Sequence, residues 1–309
     1  MESPTRVLFL GLGTIARTHL EVLGRRDDVS VVGGVDPAGG DHPFPVHADL
    51  DEALAQVEPD LVVVATPTDT HVDLVTGLLG STTARVLSEK PLARTHLDAR
   101  RLVGIDGVAD RLAVAHHFAF SPEVEWARDL VRTHPEWGAP TRVLSVFNDA
   151  YARLPEERLA SYVSTWVDSG PNQLSLLAPF VGTPAVVSHH DERVRSVTVL
   201  DHDGGRTTLC SKWVAADTSK QTTLEYLDGQ VQVRLDHTSM TVLVLRDGEV
   251  VDGVGYAGTD TRKEAHYAGL YRSVLSGEPD ERTGLDLAVA IAEVLEQAVR
   301  PARPGGCSG

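Results

Sequence analysis

Residues 7–16 read Val7-Leu8-Phe9-Leu10-Gly11-Leu12-Gly13-Thr14-Ile15-Ala16, an apolar run that breaks into glycines and continues at helical spacing. This is the G-x-G-x-x-G/A turn between a buried strand and a helix. Gly11 permits the tight turn, Gly13 lets a diphosphate approach the backbone, and small Ala16 lets helix and strand pack closely. The free N–H groups of the first helical turn, where Thr14 and Ile15 stand, favour an anion. A glycine-rich turn alone is common, so its surroundings decide. Asp36 ends the next apolar run about 25 residues downstream, where a ribose-binding acid is expected. There it would accept hydrogen bonds from the ribose hydroxyls and repel a 2′-phosphate, and the residues from Pro37 onward bring no cation. NAD is therefore expected in preference to NADP. The competing reading makes Asp36 a turn residue before Pro37.

Working outward, Val7–Leu10, Val29–Val35, Leu61–Ala65, Val86–Ser88 and Arg111–Ala115 read as buried strands, with helical spacing between them, as in Ile15, His19, Val22 and Leu23. Such βαβ alternation implies a parallel sheet with right-handed crossovers. The texture changes after His117. Helices are expected at Pro122–Arg132 and Gly170–Phe180, with a strand at Arg142–Phe147 between them. Five strand-like runs follow: Arg195–Leu200, Thr207–Trp213, Thr222–Tyr226, Gln230–Leu235 and Thr241–Leu245. Asp203-Gly204-Gly205, Asp228-Gly229 and Asp247-Gly248 separate them, and Asp-Gly is a strong hairpin signal. His189 and His190 read as part of an exposed connection. Helical spacing returns at His266–Leu275 and Leu285–Val299, and residues 303–309, with no apolar anchor, are expected to fray. The expected fold is thus α/β: a Rossmann dinucleotide-binding domain over residues 1–118, then an α+β domain with an open, largely antiparallel sheet over 119–309 for substrate binding and oligomerisation. One large α/β domain is the alternative.

Composition narrows the function classes. The chain has 309 residues, 42% hydrophobic and 23% charged, an ordinary globular balance. Its net charge is −16, and no Lys/Arg-dense stripe could follow a nucleic acid backbone. The two cysteines, Cys210 and Cys307, give neither a disulfide framework nor metal-ligand spacing, so no metal is expected and a reducing cytoplasm fits. The lead into Val7–Leu10 is too short for a signal-peptide core, and no apolar run reaches membrane-spanning length. A large apolar sheet face is seldom left in water, so a homodimer or homotetramer is expected.

Two further segments carry a resemblance. Ala65-Thr66-Pro67-Thr68-Asp69-Thr70-His71 follows one strand, and Ser88-Glu89-Lys90-Pro91-Leu92 follows another. With the glycine turn they resemble the Gfo/Idh/MocA family of sugar and polyol oxidoreductases, whose Glu-Lys-Pro element is a signature. The resemblance implies that Thr66, Pro67 and His71 line the cofactor, with Glu89 beside them. It also implies that Lys90 lies between the nicotinamide ribose and the reacting carbon. A second family signature, Asp-x-Gly-x-His, corresponds to Asp168-Ser169-Gly170-Pro171-Asn172, with Asn in place of His. That variant is similar to the aldose 1-dehydrogenase branch acting on L-arabinose and D-galactose. The branch's Gly-Gly before the aspartate is absent, and its Trp- and His-rich loop is replaced by Ala150–Tyr162, so the pocket is remodelled.

The chemistry implied is hydride transfer between a nicotinamide cofactor and a sugar, with the anomeric carbon of an aldose oxidised to an aldonolactone. Asp168 and Asn172, four residues apart, share a helix face. Asparagine does not titrate near neutrality, so the proton must go to Asp168, Lys90 or water. An anomeric hydroxyl is acidic enough for a weak base, and Asn172 would hold the anomeric or ring oxygen. Local sequence supports Asp168 equally as a helix N-cap. His117 aligns with a pocket histidine of that branch, against the alternative of a core histidine, while Asn148 and Asp149 are candidates for sugar hydroxyls. The alternatives are a biosynthetic reductase of a keto-sugar, inositol or imine, and a non-catalytic dinucleotide-binding sensor.

Overall fold

The computed structural model describes residues 3–160, 162–256, 258 and 260–300. Cys307 and residues 303–309 lie outside them. The first sheet has six parallel strands: β1 (Thr5–Leu10), β2 (Val29–Val35), β3 (Val46–His47), β4 (Leu61–Val64), β5 (Arg85–Ser88) and β6 (Leu112–Val114). Their order, β3-β2-β1-β4-β5-β6, is that of a doubly wound dinucleotide fold. The crossovers carry α1 (Thr14–Leu23), α2 (Leu50–Val57), α3 (Thr68–Ser81), and the short α4 (His96–Arg100) and α5 (Val108–Arg111).

Strands buried on both faces are apolar throughout, and their two-residue period divides two cores. Leu8, Leu10, Val62 and Val64 face one way, against Val72, Val75 and Leu78. Val7, Phe9, Leu61 and Val63 face the other.

The second sheet has eight strands: β7 (Arg142–Asp149), β8 (Ala185–Asp191), β9 (Arg195–His202), β10 (Gly205–Trp213), β11 (Ser219–Tyr226), β12 (Val231–Asp236), β13 (Thr241–Arg246) and β14 (Glu249–Gly255). They run β14-β13-β12-β11-β7-β10-β9-β8, all antiparallel except β7 with β10. At the β13–β14 hairpin Asp247 and Gly248 have φ of 50° and 86°, the two positive values a type I′ turn requires. The inner face packs on α6 (Pro122–Thr133), α8 (Thr165–Val181) and α10 (Leu285–Val299) around Phe147, Trp166, Leu224 and Tyr226, and the short α7 (Glu156–Ala160) lies in the loop before α8.

Three strands depart from the sequence reading, and each is an edge or stub. β3 has two residues, β14 is polar and glycine-bearing, and β8 is half exposed, so none shows an apolar period. His189 and His190 therefore lie in strand β8, not in a connection, and His189 Nδ1 is 2.8 Å from Thr198 Oγ1. Helix α9 (Arg262–Ser276) begins four residues before the expected His266, because Thr261 and Glu264 form a capping box.

Packing also crosses the residue-118 division. Tyr267, Leu270 and Tyr271 of α9 join the core on one face of the first sheet, while Leu285, Ala288 and Ala292 of α10 join the other. Because α10 also packs on the second sheet through Ile291 and Val294, it ties the two sheets together. No helix among the described residues is long and apolar enough to cross a membrane, and no group of three or more His, Cys, Asp or Glu there is arranged to hold a metal ion.

Candidate active site between the two sheets

At the end of β1, Gly11 has φ of 84°, and a Cβ there would stand 2.8 Å from the Ala65 carbonyl oxygen, so a side chain is excluded on both counts. Gly13 precedes α1 without a side-chain cap, which leaves the first-turn N–H groups around Thr14 and Ile15 open to an outside acceptor. A Cβ added to Gly13 meets nothing within 4 Å, so the turn faces open space. These groups fit a diphosphate. Ala16 is fully buried against the sheet.

Asp36 grips the same turn: Oδ2 accepts from Leu12 N–H at 2.9 Å and Oδ1 from Ala38 N–H at 2.9 Å. It is a turn residue, and it also faces a cleft of about 450 Å³ lined by Gly11, Gly13, Pro37, Thr66 and Pro67. A larger cavity of about 540 Å³ opens at the amino ends of β4 and β5, the wrong end of a parallel sheet for a ligand.

Thr66 and Pro67 line the cleft, but His71 lies behind it. His71 is 1% exposed and bridges two loops, with Nε2 2.8 Å from Thr66 O and Nδ1 3.0 Å from Pro91 O. Glu89 is likewise turned inward: Oε1 accepts from Tyr267 Oη at 2.5 Å and lies 3.0 Å from His19 Nε2, while Oε2 accepts from the Lys90 N–H at 3.1 Å. Burial would raise the Glu89 pKa, yet the His19 and Tyr267 hydrogen bonds and the Lys90 charge outweigh it and hold the carboxyl below its usual range. His19 Nδ1 continues to Tyr271 Oη at 2.7 Å. His71 and Glu89, expected beside the cofactor, thus act on its loops from beneath.

Lys90 leaves this buried base and crosses to α8. Its Nζ donates to Asp168 O at 3.2 Å and stands 3.8 Å from Asp168 Oδ1. The helix begins at Thr165, not near Gly170, and Ser164 is its cap, accepting from Val167 N–H. The N-cap reading of Asp168 is therefore corrected: Asp168 lies inside the first turn, free of capping duty. Burial raises its pKa, with Asp149 adding to the effect and Lys90 opposing it. One turn on, Asn172 Nδ2 donates to Asp168 O at 3.4 Å, and Asn172 Oδ1 is buried with no partner.

Asp149 is buried at the end of β7 in a short ion pair with Lys220 Nζ, 2.7 Å, and also accepts from Ser169 Oγ at 3.1 Å. Asn148 Nδ2 donates to Ser219 Oγ at 3.0 Å. His117 sits in a 3-10 turn behind Lys90, 6% exposed, stacked on Tyr267 and 3.3 Å by Nδ1 from His266 Nδ1. Burial pushes its pKa well down, and the ring is packed among aromatic neighbours.

Lys220, Arg262, Lys263, Tyr151 and Tyr162 were not expected at the site. Lys220, Thr222, Leu224 and Tyr226 are spaced by two on the buried side of β11, so a lysine on the inward phase is legible once the strand is extended to Ser219. Tyr151 and Tyr162 stack at 4.6 Å within the remodelled loop, and burial and Asp168 raise the Tyr151 pKa. Nothing local in the sequence marks them.

Residues 5–112 match the family model GFO_IDH_MocA, described as an oxidoreductase family with an NAD-binding Rossmann fold. No curated protein matches the sequence. Solved structures share the fold of the whole chain. GenD2 from gentamicin A biosynthesis, solved with NAD, is 21% identical at a TM-score of 0.77, covering 96% of this chain and 94% of its own. A myo-inositol dehydrogenase from Corynebacterium glutamicum is 16% identical at a TM-score of 0.73, covering 97% of this chain and 100% of its own. KijD10, a 3-ketoreductase from Actinomadura kijaniata solved with NADP and TDP-benzene, is 17% identical at 0.77, covering 96% and 97%.

Proposed function

We propose that this chain, whose N-terminal sheet carries the Gfo/Idh/MocA match, is an NAD-preferring oxidoreductase that oxidises the anomeric carbon of an aldose to an aldonolactone. The observation that carries the reading is the approach of Lys90, from the dinucleotide-binding sheet, to Asp168, whose carbonyl also accepts from Asn172 Nδ2. Gly11, Gly13, Thr14, Ile15, Asp36, Thr66 and Pro67 would hold the dinucleotide, which supplies the hydride acceptor when bound. The Lys90 ammonium donates to the substrate hydroxyl and stabilises negative charge developing on its oxygen. Asp168 takes the hydroxyl proton, and a carboxylate whose pKa is raised by burial is better matched to that task than an exposed one. Asn172 Oδ1, lacking a protein partner, accepts from a sugar hydroxyl.

A keto-sugar or inositol reductase reading is favoured by the names of the structural neighbours, and it uses the same residues with the proton moving outward. Turnover of a panel of aldoses, polyols and keto-sugars with NAD and NADP separates the two. Dinucleotide binding without turnover of any of them would instead favour a sensor. The outer face of the second sheet, where Leu144, Leu243 and Val197 are 47%, 45% and 42% exposed, supports a homodimer or homotetramer.

A further inference from the structure

Arg262 and Lys263 stand in the first turn of α9, where the helix dipole disfavours positive charge. Neither has a carboxylate within 4 Å among the described residues, and the Arg262 Nη1 is buried with no hydrogen-bond partner. The Arg262 guanidinium lies 5.3 Å from the centre of the Phe118 ring, and the Lys220 ammonium lies 5.6 Å from the same ring. Lys263 is within electrostatic reach of Lys90 and Asp168.

Of the carboxylates nearby, Asp149 is taken by Lys220, Asp168 by Lys90 and Glu89 by His19 and Tyr267, while Glu123 meets His237 through Oε1 at 2.8 Å and keeps a buried Oε2 with no hydrogen-bond partner. Glu264, in the same turn as Arg262, points away to Arg25. In a chain of net charge −16, the half-buried Arg262 guanidinium with an orphaned Nη1, next to the exposed Lys263 ammonium, offers an anion from outside a place to bind.

We propose that the substrate carries an anionic group, a sugar carboxylate or a phosphate ester, held by Arg262 and Lys263 with Lys220 behind them. A guanidinium presents paired donors to either oxyanion, and a neutral sugar would leave that fork unmatched. The proposal deepens the reading of Lys90 and Asp168 as the reaction centre and rests on it.

The test titrates the NADH-loaded full-length protein with D-glucuronate, D-glucose 6-phosphate and D-glucose at constant ionic strength, reading the fluorescence of bound NADH. At least one anionic sugar should saturate at a concentration about tenfold or more below that for glucose, a difference that charge-assisted pairing readily supplies. The carboxylate and phosphate arms identify which anion fits. Arg262→Gln and Lys263→Gln should each erase that advantage while NADH affinity stays unchanged. Equal binding of charged and neutral sugars would overturn the proposal. So would an Arg262→Gln variant that is less stable but keeps the anion preference, since Arg262 would then serve only to neutralise buried Glu123. Failure of NADH itself to bind is a separate result, which would remove the dinucleotide reading and this proposal with it.

Discussion

The Lys90 ammonium stands 3.8 Å from Asp168 Oδ1 and donates to the same residue's carbonyl, joining the end of β5 to the first turn of α8. The pair defines a pH experiment. Because burial raises the Asp168 pKa, a reaction that uses its carboxylate as base should lose rate as pH falls through that raised value. Asp168→Asn should abolish this acidic limb and lower kcat by about 100-fold or more. Asn172→Ala should raise KM and lower kcat but keep the limb. An unchanged limb in Asp168→Asn, with substantial turnover, would exclude Asp168 as the base.

The same raised pKa has a stability consequence of opposite sign to activity. A carboxyl that holds its proton more tightly when folded contributes stability below its unfolded pKa and loses it as pH rises through the folded value. Asp168→Asn should therefore leave Tm at neutral pH equal to or above that of the wild type, as scanning calorimetry would show. A clear fall in Tm at that pH would mean that the Lys90 contact outweighs the burial of the charge.

Glu89 presents the reverse case. Its lowered pKa means stability that is present above the unfolded value and lost as pH falls through the folded one. Glu89→Ala strands His19 and Tyr267 in the core and should cost about 3 kcal/mol or more. Tyr267→Phe removes one donor and should cost about 1–3 kcal/mol. Denaturant unfolding measures both, and equal stability of wild type and Glu89→Ala would show that the network bears no weight.

Asp36 governs cofactor choice in this account. Wild type should show the higher kcat/KM with NAD, and Asp36→Ala should narrow the gap by about tenfold or more as repulsion of the 2′-phosphate is lost. A wild-type preference for NADP would refute the assignment.

Much of this was readable locally, for identifiable reasons. Val29–Val35 and Leu285–Val299 appear with the bounds that their apolar patterns predict. Gly11 and Asp36 lie in a segment whose spacing carries meaning by itself, whereas Lys90, Asp168 and Asn172 were marked by their resemblance to family motifs. The onset of α8 was misplaced because Gly170-Pro171 resembles a helix start, whereas Ser164 supplies the cap and Pro171 sits inside the helix. Lys220 and Arg262 were invisible because their role depends on which strand and helix meet at the crevice, a tertiary fact that no local pattern states.

The central claim is tested most directly by following reduction of NAD in the presence of the sugar panel, in wild type and in Lys90→Ala, with NADH binding measured on both. The account predicts turnover of at least one sugar by wild type. It further predicts a loss of about 100-fold or more in kcat for Lys90→Ala, with NADH affinity retained. Lys90→Ala activity within a few-fold of wild type would contradict it, because the residue that joins the two domains would then take no part in the reaction.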